Sequence, residues 1–159
     1  MPDPKPLDIH RGAYFEEFEI GQTVTSPGRT ATETDVVSFA ALSGDWNPIH
    51  TDAAAAAQGP FGQRVVHGLW GLSVGVALVM RLGILEETVI GFREVSNWKF
   101  SLPIFIGDTI HVQATVSDTR PVRRLGGGLV TIRVEILNQD GKIVQQGSWV
   151  VLVKSKENS

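Results

Sequence analysis

Residues 65–80 form a run of 16 without a charge, and this run limits what the chain can fold into. It holds His67, Ser73 and three glycines, and it falls short of the roughly 18 to 20 apolar residues that a membrane span needs. It therefore reads as a core helix over about residues 68–82. The helix is apolar nearly all round, and Gly68, Gly71 and Gly75 bare its backbone to close neighbours. Such a helix has to be wrapped. The wrapping is legible in the second half of the chain, where apolar and polar residues alternate with period two. Strands are expected at 88–100, 108–120, 128–138 and 142–153. Ile110, Val112, Ala114 and Val116 share one face of the second strand, and Val130, Ile132, Val134 and Ile136 one face of the third. The Asp140-Gly141 pair joins the last two strands as a hairpin. The expected fold class is α+β, a long buried central helix wrapped by a curved antiparallel meander.

The first half is less regular. Tyr14, Phe15 and Phe18 interleave with Glu16, Glu17 and Glu19, so the aromatics are expected to dock that segment on the core. A short strand is expected over 21–29. Thr32-x-x-Asp35 is a capping-box start for a helix through residue 42, and Gly44 is placed to stop it. Asp52 opens one helical turn over 53–57, and Gly59-Pro60-Phe61-Gly62 marks a turn. Three regions result: a flexible N-terminal tail over 1–12, one domain over 13–154 and a C-terminal tail over 155–159.

Composition removes several function classes. The 159 residues amount to one domain. Seventeen acidic against fourteen basic residues give a net charge of -3, the wrong sign for phosphate backbones, so no nucleic acid is expected as partner. Zero cysteines exclude disulfides, thiolate nucleophiles and cysteine-ligated zinc. No two histidines stand close together as in H-x-x-x-H, so no metal site is expected either. Pro2, Pro4, Pro6 and two aspartates precede any apolar run, which is unlike a secretory leader. A cytoplasmic protein with no membrane association is expected.

The chemistry-bearing cluster is Ser43-Gly44-Asp45-Trp46-Asn47-Pro48-Ile49-His50. It sets a carboxylate and an imidazole five residues apart. Pro48 fixes its own backbone and forces Asn47 extended, while the Asn47 side chain is free to bond its own loop. Two groups of different proton affinity around one water suit the addition or removal of water across a carbon–carbon double bond. Taken singly, Gly44 is a helix stop, Asp45 a cap and Asn47-Pro48 a turn. Together with His50 they are a candidate site.

Phe39-x-x-Leu42-Ser43-Gly44-Asp45-x-Asn47-Pro48-x-His50, followed by alanines to Ala56, resembles the signature of the MaoC-like dehydratases, which include the (R)-specific enoyl-CoA hydratases. The similarity runs from about residue 14 to residue 153 and takes in Val66-His67-Gly68-Leu69 and Gly107-Asp108. The resemblance implies the hot-dog fold and a homodimer. It further implies Asp45 and His50 as an acid/base pair, Asn47 as a support for the loop or the water, and hydration of a trans-2-enoyl thioester to the (R)-3-hydroxyacyl thioester, or the reverse. The substrate is then a coenzyme A or acyl carrier protein thioester, and no other cofactor is expected. The negative charge that develops on the thioester oxygen is assigned to the Gly68 N–H at the start of the buried helix.

His67 either caps that helix, packs, or meets substrate, and Trp46 is a candidate for shaping the substrate mouth. Trp70, Trp98 and Trp149 are core or interface candidates. Arg64, Arg120, Arg123 and Arg124 are weaker candidates for coenzyme A phosphates, and His10 and His111 read as surface residues. Gly71-Leu72-Ser73-Val74-Gly75 matches G-x-S-x-G, but its serine lies inside an apolar helix and not on a strand-to-helix elbow. Two rival functions remain, a hot-dog acyl-CoA thioesterase and a non-catalytic acyl-thioester-binding subunit. Nothing acidic occurs over residues 65–85, which counts against the thioesterase.

Overall fold

A computed structural model of the chain describes residues 12–156; the expected tail over residues 1–11, with His10, lies outside them. The elements run β1 (Thr23–Thr25), β2 (Arg29–Thr30), α1 (Glu33–Ser43), α2 (Pro48–Thr51), α3 (Ala53–Ala57), α4 (Gly68–Met80), β3 (Val89–Phe100), β4 (Thr109–Val122), β5 (Gly127–Leu137) and β6 (Ile143–Lys154). The four long strands fall within a residue or two of the expected bounds. The short strand expected over 21–29 is split, with β1 and β2 both antiparallel to β4.

Alternation does what it should. Ile110, Val112, Ala114, Val116, Val130, Ile132, Val134 and Ile136 are all buried, each valine or isoleucine side chain contributing about 1.5–3 kcal/mol where fully enclosed. The hairpin forms at residues 138–142, with Asn138 Oδ1 accepting from the N–H groups of Asp140 and Lys142 and Gly141 at φ 71°. Phe18 enters the core, and the Phe15 ring lies over Gly128. Gly12, Ser155 and Lys156 were expected in tails, yet all three are bonded to the domain. The Gly12 N–H reaches Gly83 O, the Ser155 N–H reaches Gly126 O, and Glu16 accepts from the Ser155 hydroxyl and the Lys156 N–H.

Two expectations need correction. The strands are not a simple meander, because the sheet order is β1-β4-β5-β6-β3 and β3 crosses over to pair with β6 at the edge. Nor is α4 wrapped all round. Its glycine face lies on the sheet, where a side chain at Gly75 would come within 2.6 Å of Ile136. Trp70, Val74, Leu78 and Val79 are buried with it, whereas Leu69, Ser73 and Ala77 form an exposed stripe at four-residue spacing. Period two tells which face of a strand is dry, not which strand lies beside it.

Candidate active site

The site is built where α1 ends. Thr32 caps α1 with the predicted box, its side chain accepting from the Asp35 N–H while the Asp35 carboxylate accepts from the Thr32 N–H. Burial pushes the Asp35 carboxyl up, but the Thr32 hydroxyl, the Thr32 N–H and the Arg29 charge outweigh it, so it lies below its ordinary value. Gly44 ends the helix in the left-handed region at φ 77°. This turns the chain sharply, and Ser43 then bonds both ways, donating to Phe39 O and accepting from the Asp45 N–H.

The next seven residues are knitted by short-range polar bonds. Asp45 Oδ1 accepts from the Asn47 N–H, Asn47 Oδ1 caps α2 by accepting from the Ile49 N–H, and Thr51 donates to Trp46 O. Pro48 sits at the first position of α2, where its missing N–H costs nothing. One turn later His50 points inward and is buried, while the Asp45 side chain stays 51% exposed. Asp45 Oδ2 and His50 Nε2 stand 3.8 Å apart. That is too long for a direct hydrogen bond and is a span that one water can bridge.

The tautomer of His50 is fixed by its other nitrogen. Nδ1 lies 2.7 Å from Val65 O, and a carbonyl only accepts, so Nδ1 carries a proton, and in the neutral ring Nε2 is the nitrogen that presents its lone pair on the side of Asp45. The Val65 N–H in turn donates to Ile49 O, so the backbone at Val65 holds α2 from both sides.

His67 lies behind the pair. It is 2% exposed and its ring stacks on His50 with centroids 3.9 Å apart and planes at 26°. Its Nε2–H donates to the main-chain carbonyl of Asp45 at 2.9 Å, and its buried Nδ1 has no hydrogen-bond partner among the described residues. Asp45, His50 and His67 offer ligand-type atoms within 4.8 Å of one another. A metal lies in the plane of each imidazole that binds it, however, and two rings stacked 3.9 Å apart with planes at 26° suit that poorly.

Gly68 opens α4 immediately after His67, and its N–H is one of those the first turn of a helix leaves without a helical partner. A side chain there would come within 2.9 Å of Phe100. Beside it opens a cleft of about 380 Å³ lined by His50 and Gly68 together with Ile49, Phe61, Phe100, Leu102, Ile104 and Gln145. The structure thus brings Asp45, Asn47, His50, His67 and Gly68 together. Trp46 is 54% exposed and is not among the residues that line the cleft. Arg64 pairs with Glu33 through two bonds at 2.8 and 2.5 Å, which leaves it engaged, and the same bonds hold the Glu33 carboxyl below its ordinary value. The Ser73 hydroxyl donates to Leu69 O within its own helix. Sequence reasoning missed Gln145, whose signal was an amide at a buried position of β6, and it missed the Val65 carbonyl, which as backbone leaves no signal at all.

Residues 16–138 match the MaoC like domain family. Three relatives are similar over different extents. Protein MaoC of Klebsiella aerogenes is 43% identical over 102 residues, 64% of this chain, and the chain spans only 30% of that relative's length. The 3-hydroxybutyryl-CoA dehydratase of Methylorubrum extorquens is 32% identical, with 94% of this chain and 89% of that protein covered. The (R)-specific enoyl-CoA hydratase of Aeromonas caviae is 30% identical, covering 86% and 96% respectively. Among solved structures, a monoamine oxidase regulatory protein from Archaeoglobus fulgidus superposes with a TM-score of 0.86 at 32% identity, covering 93% of this chain and 98% of that one. A double hot-dog protein of Mycobacterium tuberculosis, at 18% identity and a TM-score of 0.76, shares the fold over 93% of this chain and 46% of that one. With the family model spanning most of the domain and the sheet-on-helix architecture shared, the chain belongs to the MaoC-like dehydratase family and has its hot-dog fold.

Proposed function

We propose that the protein is a hydro-lyase that hydrates trans-2-enoyl thioesters to (R)-3-hydroxyacyl thioesters and runs the reverse dehydration. The observation that carries this reading is the placement of Asp45 Oδ2 and His50 Nε2, 3.8 Å apart, beside the Gly68 start of α4. A water held by both groups gives its proton to the Nε2 lone pair as its oxygen bonds the β-carbon. The double-bond electrons move to the α-carbon and onto the thioester oxygen, where the Gly68 N–H receives the charge; such a donor is worth about 3 kcal/mol. The imidazolium is steadied by the Asp45 carboxylate and by the Nδ1–H bond to Val65 O. It then passes the proton to the α-carbon, and the sum is one water added. Asn47 supports the loop through its α2 cap, with the exposed Trp46 beside it. No metal or other cofactor takes part, and the acyl group is presented as a coenzyme A or acyl carrier protein thioester.

The working unit is a homodimer formed across β3. Among the described residues this strand pairs only with β6, and it leaves Val89, Ile90, Phe92 and Val95 exposed. An unpaired edge with apolar residues that continue to Phe100 at the cleft suits a second copy. Among the described residues no helix is long and apolar enough to cross a membrane.

The test is the loss of enoyl-thioester absorbance with crotonyl-CoA, with chiral analysis of the product, free-thiol detection in parallel, and light scattering on the same sample. Turnover to the (R)-3-hydroxy thioester by a dimer is expected. Thiol release in place of hydration would replace the reading by a thioesterase, binding without turnover by a carrier subunit, and an active monomer would remove the dimer.

A further inference from the structure

The one amide on the cleft floor is tied to the helix start in a way that packing alone does not demand. Gln145 is 2% exposed, sits between Phe100 and Ile136 in the sheet ladder, and reaches across to α4. Its Nε2 donates to Gly68 O at 2.9 Å and its Oε1 accepts from Trp98 Nε1 at 3.2 Å. The indole N–H only donates and the carbonyl only accepts, so the amide has a single workable orientation; flipped, it would set donor against donor and acceptor against acceptor. The donor itself is placed by an irregularity of β3. The register shifts between Ser96 and Lys99, Asn97 takes φ 53°, and the Trp98 ring turns inward over Gly147, where a side chain would come within 2.6 Å of it. Gly71 completes the fit, since a side chain there would collide with the Gln145 amide.

We infer that Gln145, oriented by Trp98, is a positioning residue that holds the first turn of α4 so that the Gly68 N–H meets the thioester oxygen. The inference rests on the hydratase reading of the site. Gln145 takes no proton and bears on the reaction only through Gly68. Its loss is therefore felt in the transition state more than in ground-state binding, because the donor is most valuable where charge develops.

The sharpest test is Gln145→Glu. Protonated, the new carboxyl reproduces the amide, donating to Gly68 O and accepting from Trp98; ionised, it sets a negative acceptor against the Gly68 carbonyl. The ratio of the variant's kcat to that of the wild type is expected to climb about fivefold or more as the pH falls from about 8 to about 5.5, and Gln145→Leu is expected to lose about tenfold in kcat at a KM within about twofold. A flat ratio, or Gln145→Leu with wild-type kcat, overturns the inference. The Gly68 amide resonance reads the same coupling without turnover: over that range Gln145→Glu should add a titration step that the wild type lacks, on top of any shift that the neighbouring His50 and His67 give both proteins. If the wild type fails to hydrate any enoyl thioester while Gln145→Glu shows that added step, the hydratase reading fails and the coupling stands. If the resonance behaves alike in the two proteins, the coupling fails whatever the activity.

Discussion

The sheet with α4 and the segment from Gly44 to His67 are held by different physics. The sheet is fixed by apolar area: Ile110, Val112, Val130, Val134 and Ile136 are fully enclosed, and their packing tolerates apolar side chains of similar volume. The segment from Gly44 to His67 contributes few core side chains and is held by individual polar bonds. Asp45 to Asn47, Asn47 to Ile49, His50 to Val65 and His67 to Asp45 form a closed circuit in which main-chain carbonyls receive both imidazole N–H groups. An apolar scaffold degrades by degrees when it is trimmed, whereas a polar circuit loses its geometry with one atom. Stability and activity should therefore separate cleanly between the two regions.

The largest separation is expected at Asp45 and His50, the proposed acid/base pair. Asp45→Asn and His50→Ala should each cut enoyl-CoA hydration by about 10²- to 10⁴-fold and leave the thermal midpoint close to wild type, since Asp45 is half exposed and neither side chain fills the central core. Turnover assays and a melting curve on the same preparations check this. Near-normal rates in both variants would strip the pair of its role, and unfolding of His50→Ala would show that the circuit stabilises the domain as well as the site.

The two regions also differed in how much of them could be read from the chain. Alternation fixed the strands to within a residue or two because burial of one face imposes period two directly. The capping box at Thr32 and Asp35 and the stop at Gly44 were legible because each satisfies or bends the backbone locally. The neighbour of β3 was not legible, since it depends on long-range closure, and neither was the open stripe of α4, since an apolar helix looks alike whether its far side meets sheet or solvent. At the site, Asp45, Asn47 and His50 announced themselves by residue type and spacing. His67 was left undecided between cap, packing and substrate because its partner is the Asp45 carbonyl, and a carbonyl is the same at every residue. Gln145 went unseen because the Gln145-Gln146 pair does not tell which amide faces inward until the helix opposite is in place.

The scaffold should respond in the opposite sense to the pair. Ile136 is fully buried, with its terminal methyl over Gly75, and Ile136→Ala should cost about 2–5 kcal/mol of unfolding free energy. Its kcat per folded molecule should stay within about twofold of wild type, because Ile136 meets α4 at Gly75, about two helical turns beyond Gly68. Denaturant titration and an active-fraction assay check it. A loss of kcat matching that of His50→Ala would mean that the helix start follows the sheet packing closely, and the two regions would then be one.

The smallest expected effect lies at the hinge between the regions, where Asp35 caps α1 and pairs with Arg29 at 2.5 Å, while the Arg29 guanidinium lies over the Trp70 ring at 5.3 Å. The Asp35 carboxyl is held below its ordinary value of 3.8 in the folded chain, so the ionised form is favoured by folding. Its stabilisation is complete above the unfolded value and is lost as the pH falls through the lower folded value. Asp35→Asn should therefore be less stable than wild type by about 1 kcal/mol at neutral pH, with a gap that holds steady down to about pH 5 and closes below about pH 4. Melting curves taken across that range read the gap directly. A gap independent of pH would place the effect in side-chain packing and not in charge. A gap accompanied by a falling kcat at neutral pH would show that the cap at the start of α1 reaches through the helix to Gly44 and sets the position of Asp45.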